Sequence, residues 1–237
     1  MNKFLRFISS FFLLLSISFN SLSDNQLDNF NSKFAKYKSD PKVRSAKAMV
    51  VNQNNGKVIY QKNAYSEASI ASLTKLMTAM VILDSKIDLK KKIKITKHDI
   101  DRLKGTGSRI PIGTLVTGYD LLKISLMSSD NRAASALSRA YPSGKKGFIK
   151  AMNIKALKLG MHNSKFADPT GLNKRNKSTA RDLVRMVEAA YQYPEIRKIT
   201  TTSQETFRIG KRKNEIGFVN TNRLVRKGTW DIGLSKT

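Results

Sequence analysis

The order of the predicted elements constrains the fold of this chain more than any other feature of its sequence. Two β-rich segments, 46–51 and 58–60, flank Asn54-Asn55-Gly56-Lys57, and Asn-Gly between apolar runs predicts a hairpin. A mostly helical block follows, and strand character returns at 206–209 and 232–235. This order favours an α/β (α+β) fold, with a mostly antiparallel sheet into which a helical subdomain is inserted.

The helical block contains five patterns, with short extended pieces at 92–95 and 164–166 between them. The patterns cover 72–83, 119–127, 132–140, 147–159 and 180–191. In the first of them every residue from Leu76 to Leu83 except Thr78 is apolar, so we expect a helix that is buried nearly all round.

The chain divides into three parts by composition. Residues 1–23 read as a secretory signal, because Lys3 and Arg6 precede an apolar run from Phe7 to Phe19 that is shorter than the roughly 20 residues needed to span a bilayer. Residues 24–43 are polar and read as a linker. We expect one folded domain over 44–237 and a periplasmic location.

Charge and cysteine content limit the partners. The formal net charge of +27 allows electrostatic association with anionic surfaces of a bacterial envelope, but lysine-rich solvated faces explain it more simply than a specific site for a polyanion. Nucleic acid is not expected as a partner, because the basic residues are not interleaved with aromatics and no nucleic-acid motif is present. No cysteine is available for a disulfide or a thiolate metal site, and His98 and His162 show no ligand spacing, so we expect neither metal nor cofactor.

Ser72-Leu73-Thr74-Lys75 is the first candidate for chemistry. On a helix the serine and the lysine share one face, and a neutral lysine amine can take the proton of a serine nucleophile. The lysine pKa must then fall from about 10.4, by desolvation or through a second cation such as Lys236. The same spacing occurs at Ser39 and Ser143, but only Ser72 leads into a rigid apolar helix.

Two further polar motifs follow in order along the chain. Ser129-Asp130-Asn131 lies between two helical patterns, where it is either a loop directed at a site or an ordinary turn that caps the next helix. Ser235-Lys236-Thr237 follows a strand-like segment and could line the edge of a cleft. Each motif alone is weak evidence, and the ordered set of three is much stronger.

With these motifs the sequence resembles the low-molecular-mass penicillin-binding proteins, serine peptidases that include D-alanyl-D-alanine carboxypeptidases and endopeptidases. The resemblance covers about 44–237 and also includes Phe166-Ala167-Asp168-Pro169-Thr170-Gly171-Leu172. It looks most like the endopeptidase branch, which cleaves D-alanyl to diaminopimelyl cross-links of peptidoglycan, on the segments 128–134 and 218–222. It implies a β-lactamase/transpeptidase-like fold, peptidoglycan peptides as substrates and β-lactams as covalent inhibitors.

The resemblance also implies a role for each motif residue. Ser72 is expected to be the acylated nucleophile, Lys75 its general base and Ser129 a proton relay. Asn131 is expected to position the substrate, while Lys236 and Thr237 bind its carboxylate. One oxyanion donor would be the backbone N–H of Ser72, and the other would come from the strand beyond Thr237. We therefore expect the chain to lack C-terminal strands and a helix of this fold.

Two rival functions stay open at this point. A class A-like β-lactamase uses the same signatures but needs a carboxylate that activates the deacylating water; here Asp168 is the candidate, and we favour a structural Asp-Pro turn for it. The second rival is an inactive truncated product or a wall-binding protein that keeps the motifs.

Overall fold

The computed structural model describes residues 42–85, 87–210 and 214–237, and Ser45–Thr237 form one folded unit. The expected signal segment lies outside the described residues, as does the expected linker except for its last two residues. No helix in the described ranges is long and apolar enough to cross a membrane.

The predicted N-terminal hairpin is confirmed. Strands β1 (Ala48–Val51) and β2 (Val58–Lys62) pair antiparallel. Their turn closes through Asn52, whose carbonyl accepts from the Gly56 N–H at 2.8 Å. Gly56 has φ +70°, a conformation that glycine adopts at little cost, which explains the Asn-Gly signal.

The other described strands also form antiparallel pairs, so the described residues contain four two-stranded sheets. The single sheet that was expected is not formed in these ranges. The pairs are β3 (Ala68–Ser69) with β6 (Lys177–Ser178), β4 (Lys92–Lys94) with β5 (Leu115–Thr117), and β7 (Gln204–Ile209) with β8 (Asn214–Val219). The mixed α/β class with antiparallel pairing is confirmed.

Two strand predictions were wrong. The segment 232–235 joins no ladder in the described ranges; side chains hold it, with Ser235 Oγ accepting from Asn222 Nδ2 at 2.9 Å. The segment 164–166 makes only a single bridge, from Lys165 to Lys177. A segment of strand-forming residues becomes a β-strand only where a neighbouring strand is close enough to form backbone hydrogen bonds with it.

The five predicted helices are all present, within three residues at each end. The described helices are α1 (Thr74–Asp84), α2 (Gly118–Met127), α3 (Asn131–Arg139), α4 (Gly144–Lys158), α5 (Ala180–Tyr191), α6 (Pro194–Thr201) and α7 (Arg223–Lys227). Helices α6 and α7 were not predicted, and short 3₁₀ turns precede α1 (Ala71–Leu73) and follow β4 (Lys97–Asp99).

Helix α1 lies at the centre of the core. All of its residues from Thr74 to Ile82 are buried, as its apolar sequence predicted, and it packs against α2, α3, α4 and α5. Because α1 is enclosed on every side, its N-terminal end is held firmly in place. The candidate nucleophile lies at that end.

Candidate active site

Ser72 and Lys75 lie together at the start of α1. Ser72 is half-buried in the 3₁₀ turn, and Lys75, in the first turn of α1, is fully buried. The Lys75 Nζ donates to Ser72 Oγ at 3.1 Å. The preceding Ala71 has φ +45°, a strained conformation for a residue with a Cβ, and such strain is concentrated at functional sites.

The Lys75 amine is held by two more oxygens. Its Nζ donates to Asn131 Oδ1 and to the Thr170 carbonyl, each at 2.7 Å. Burial lowers the pKa of Lys75 to about 8, although the charges of Asp130 and Asp168 act in the opposite direction. A neutral amine is therefore accessible near neutral pH, in hydrogen-bond contact with the serine oxygen.

Ser129-Asp130-Asn131 forms the start of α3. Asp130 is the N-cap, with its Oδ1 accepting from the Ala133 N–H at 2.8 Å, and Asn131 is the first helical residue. Both interpretations of this motif therefore hold, since the same turn caps a helix and directs Asn131 at Lys75. Ser129 has φ +59°, a second strained residue at the site.

Ser235-Lys236-Thr237 reaches the same place from the C-terminal side. Lys236 Nζ donates to Ser129 Oγ at 2.9 Å, and the hydroxyls of Thr237 and Thr221 lie 2.5 Å apart. Burial, followed by repulsion from the charge of Lys75, lowers the pKa of Lys236 to about 7. The expected effect of Lys236 on Lys75 is not seen: burial lowers the pKa of Lys75, whereas the charge of Lys75 contributes to the lowered pKa of Lys236.

The loop after Phe166 supports the nucleophile from behind. Asp168 accepts from the backbone N–H groups of Thr170, Gly171 and Asn173 at 2.7 to 3.0 Å, which fixes the Thr170 carbonyl against Lys75. Gly171 has φ +88°, and a Cβ there would lie 1.9 Å from the carbonyl oxygen of Ala71. Only glycine fits this contact with the turn that carries Ser72.

The structure brings the six predicted site residues into two hydrogen-bonded groups, Ser72 with Lys75 and Asn131, and Ser129 with Lys236 and Thr237. The two groups adjoin where Ser129 and Asn131 share the turn at the start of α3. Sequence reasoning missed Thr106, Thr221 and the backbone carbonyl of Thr170, all of which contact them. Nothing in the sequence signals Thr106, whereas Thr170 lies within a segment that carried the family resemblance.

The described residues hold no group of three or more histidine, cysteine, aspartate or glutamate side chains that could bind a metal ion. His98 and His162 are exposed. The candidate site is lined by hydroxyls, amines and one amide.

Comparison with known protein families agrees with this geometry. The family model described as D-alanyl-D-alanine carboxypeptidase matches residues 34–237. The chain belongs to this family.

Within the D-alanyl-D-alanine carboxypeptidase family the chain is similar to two curated endopeptidases. It is 45% identical over 195 residues to the D-alanyl-D-alanine endopeptidase of Pseudomonas aeruginosa, covering 82% of this chain and 63% of that protein. It is 44% identical over 199 residues to the D-alanyl-D-alanine endopeptidase of Escherichia coli, covering 84% of this chain and 64% of that protein. The chain thus spans a little under two thirds of the length of these relatives.

A solved structure shares the architecture of this chain. The crystal structure of the Streptomyces K15 DD-transpeptidase aligns with a TM-score of 0.74 at 30% sequence identity, covering 81% of this chain and 79% of that one. The β-lactamase/transpeptidase-like fold expected from the motifs is therefore confirmed.

Proposed function

We propose that this chain is a serine-type peptidase that hydrolyses D-alanyl peptide bonds of peptidoglycan through an acyl-enzyme on Ser72. The observation that carries the proposal is the 3.1 Å contact between Ser72 Oγ and the buried amine of Lys75, whose pKa is lowered to about 8. Membership of the D-alanyl-D-alanine carboxypeptidase family supports the substrate class.

In the first half of the reaction Ser72 Oγ attacks the carbonyl carbon of a D-alanyl bond while its proton passes to the neutral Lys75 amine. The C–N bond then breaks as the leaving amine takes up the proton that Lys75 received, which returns Lys75 to its neutral form. Ser129 is suited to deliver that proton, because its hydroxyl accepts from Lys236 at 2.9 Å and can donate onward. The products are an ester on Ser72 and a free amine.

In the second half water attacks the ester carbonyl and gives up a proton to a basic group, for which Lys75 is in place. The C–O bond to Ser72 breaks and the serine recovers its proton. Lys236 and Thr237 lie beside this centre and are suited to bind a substrate carboxylate, while Asn131 is suited to hold the substrate amide.

Cross-link hydrolysis is the activity we favour within this class. The relatives at 44 and 45% identity are named D-alanyl-D-alanine endopeptidases, which supports cleavage between two stem peptides. We also propose export to the periplasm through the signal at residues 1–23, with β-lactams as covalent inhibitors.

The geometry around Asp168 argues against the β-lactamase alternative. Its carboxylate accepts from three backbone N–H groups, from the Thr170 hydroxyl and from Asn176 Nδ2 at 3.0 Å. A carboxylate so fully occupied holds the loop together and is poorly placed to activate a water, which supports the structural Asp-Pro turn.

Purified disaccharide-peptide dimers test the choice between the two peptidase activities. An endopeptidase converts the cross-linked dimer to monomers, whereas a carboxypeptidase releases free D-alanine from a pentapeptide monomer. We expect dimer cleavage by the chain and none by Ser72→Ala. Release of D-alanine alone would reassign the activity, and no reaction with either substrate would count against the proposed function.

A further inference from the structure

The loop 101–107, outside the three motifs, contacts the active site through one side chain. Asn131 Nδ2 donates to Thr106 Oγ1 at 2.9 Å, while the other end of the same amide, Oδ1, accepts from Lys75 at 2.7 Å. Thr106 is therefore one hydrogen bond away from the group that touches the candidate base.

Thr106 is itself fixed by Asp101. The carboxylate of Asp101 accepts from the Thr106 hydroxyl at 2.6 Å and from the backbone N–H groups of Leu103, Lys104 and Thr106 at 2.8 to 3.0 Å. Burial alone would raise the pKa of Asp101, but these hydrogen bonds outweigh it and lower the pKa to about 2. The side chain is therefore a carboxylate at any working pH and can only accept hydrogen bonds.

This arrangement has a direction. A hydroxyl has one hydrogen to donate, and the Thr106 hydroxyl donates it in the hydrogen bond to Asp101. Towards Asn131 the Thr106 oxygen can therefore only accept a hydrogen bond. The amide must then present its NH₂ group to Thr106 and its carbonyl oxygen to Lys75. If the Asn131 amide were rotated by a half-turn, its NH₂ group would face the Lys75 amine, so that two donors would meet. Its carbonyl oxygen would face the Thr106 hydroxyl, whose hydrogen is already donated to Asp101.

We propose that Asp101 and Thr106 are positioning residues that set the orientation of the Asn131 amide and, through it, the placement of the Lys75 amine beside Ser72. This inference rests on the proposed acyl-enzyme function. A misplacement of about 1 Å at a reacting group can reduce a rate roughly a hundredfold, so a loop that fixes this amide affects acylation without touching substrate.

Because the 101–107 loop lies outside the core, its effect on the active site can be tested without a change in the stability of the domain. Thr106 is exposed, Asp101 is half-buried, and neither belongs to the hydrophobic core. Gly105 and Gly107 flank Thr106, and a Cβ at either would meet nothing within 4 Å. Removing the Thr106 hydroxyl therefore leaves the packing of the domain unchanged.

The rate of Ser72 acylation by a penicillin, measured in Thr106→Val and Thr106→Ser, tests the proposal. We expect valine, which keeps the shape but lacks the hydroxyl, to slow acylation by about 10- to 100-fold. Serine should restore most of the rate. Asp101→Asn should slow acylation as well, because an amide there can donate to Thr106, while Asp88→Asn, which removes a similar acceptor in a loop away from the site, should have no effect.

A double-mutant cycle with Asn131→Ala distinguishes positioning from independent structural damage. If Thr106 acts through Asn131, Thr106→Val should cause no further loss of rate in the Asn131→Ala background. An additive loss, or an unchanged rate in Thr106→Val alone, would overturn the proposal.

A readout independent of activity keeps this inference separate from the proposed function. The side-chain NH₂ resonances of Asn131, identified by their absence from Asn131→Ala, should shift in Thr106→Val and keep their wild-type positions in Thr106→Ser. Unshifted resonances in Thr106→Val would refute the hydrogen bond. If the wild-type chain forms no penicillin adduct but the resonances behave as expected, the orientation network stands and the proposed function fails.

Discussion

At the scale of single residues, the site is built from groups that folding places in unfavourable states. Lys75 is a cation with no exposed surface, and Ala71 and Ser129 have positive φ values. Each is tolerated because neighbours fix it: Lys75 donates three hydrogen bonds, and Gly171 packs directly against the Ala71 carbonyl. The folded domain thus carries the energetic cost of a lysine amine that is buried beside Ser72.

The lowered pKa of Lys75 predicts a specific dependence of stability on pH. Because its pKa falls from 10.5 in the unfolded chain to about 8 when folded, the unfolded state binds more protons between these values. The destabilisation is therefore fully present below pH 8 and is lost as the pH rises from 8 to 10.5.

Lys75→Met tests this dependence. We expect the unfolding free energy of the wild type, relative to Lys75→Met, to increase by up to about 3 kcal/mol between pH 8 and pH 10.5. Urea denaturation across this range measures the difference, and Lys158→Met, at an exposed position on α4, is the matched control. A difference that stays constant with pH would show that Lys75 is not desolvated as described.

At the scale of elements, the sequence predicted what depends on local pattern. Helix α1 was predictable because an apolar run without charged residues can only be a buried element, and the β1–β2 hairpin because Asn-Gly fits a turn with positive φ. Helix α7 was not, because five residues are too few to show a period. The segment 232–235 has strand composition, but pairing depends on a partner that composition does not reveal.

The site shows the same division between local and long-range information. The six motif residues could be named in advance because the residue types and the order of the three motifs resemble those of a known family. The Thr170 carbonyl and the Thr106 hydroxyl could not, since their contacts with Lys75 and Asn131 join parts of the chain that are far apart in sequence. In addition, every residue has a backbone carbonyl, so the residue type gives no sign of which carbonyl contacts the site.

Packing between the 168–173 loop and the start of α1 yields a prediction at this scale. In Gly171→Ala the added Cβ would meet the Ala71 carbonyl at 1.9 Å, so we expect a loss of more than about 2 kcal/mol and slower penicillin acylation. Gly228→Ala is the matched control, because Gly228 also has positive φ, +64°, but open space around its Cβ position. Thermal unfolding of both variants measures the effect, and equal losses would show that only φ matters.

At the scale of the whole molecule, positive charge dominates the surface. Lysine and arginine number 44 against 17 aspartate and glutamate residues, and several of the acids, including Asp99, Asp168 and Asp182, are buried and hydrogen-bonded within the fold. Because basic residues outnumber acidic ones by 27, we expect attraction to polyanions of the cell wall.

Salt dependence tests this attraction. We expect the chain to sediment with purified peptidoglycan sacculi at low ionic strength and to be released as the salt concentration rises toward 0.5 M, because screening shortens the reach of surface charge. Sacculi whose carboxylates have been amidated should bind less of the chain. Retention that does not change with salt or amidation would assign the binding to specific contacts.

The formation of a covalent bond at Ser72 is the claim on which the whole account depends, and mass spectrometry after incubation with a penicillin tests it most directly. We predict a mass increase of one penicillin on the folded chain, mapped by peptide analysis to the segment containing Ser72 and absent from Ser72→Ala. A folded chain that gains no mass would contradict the account, as would an adduct that maps to Ser39 or Ser143, the other serines followed by lysine at the same spacing.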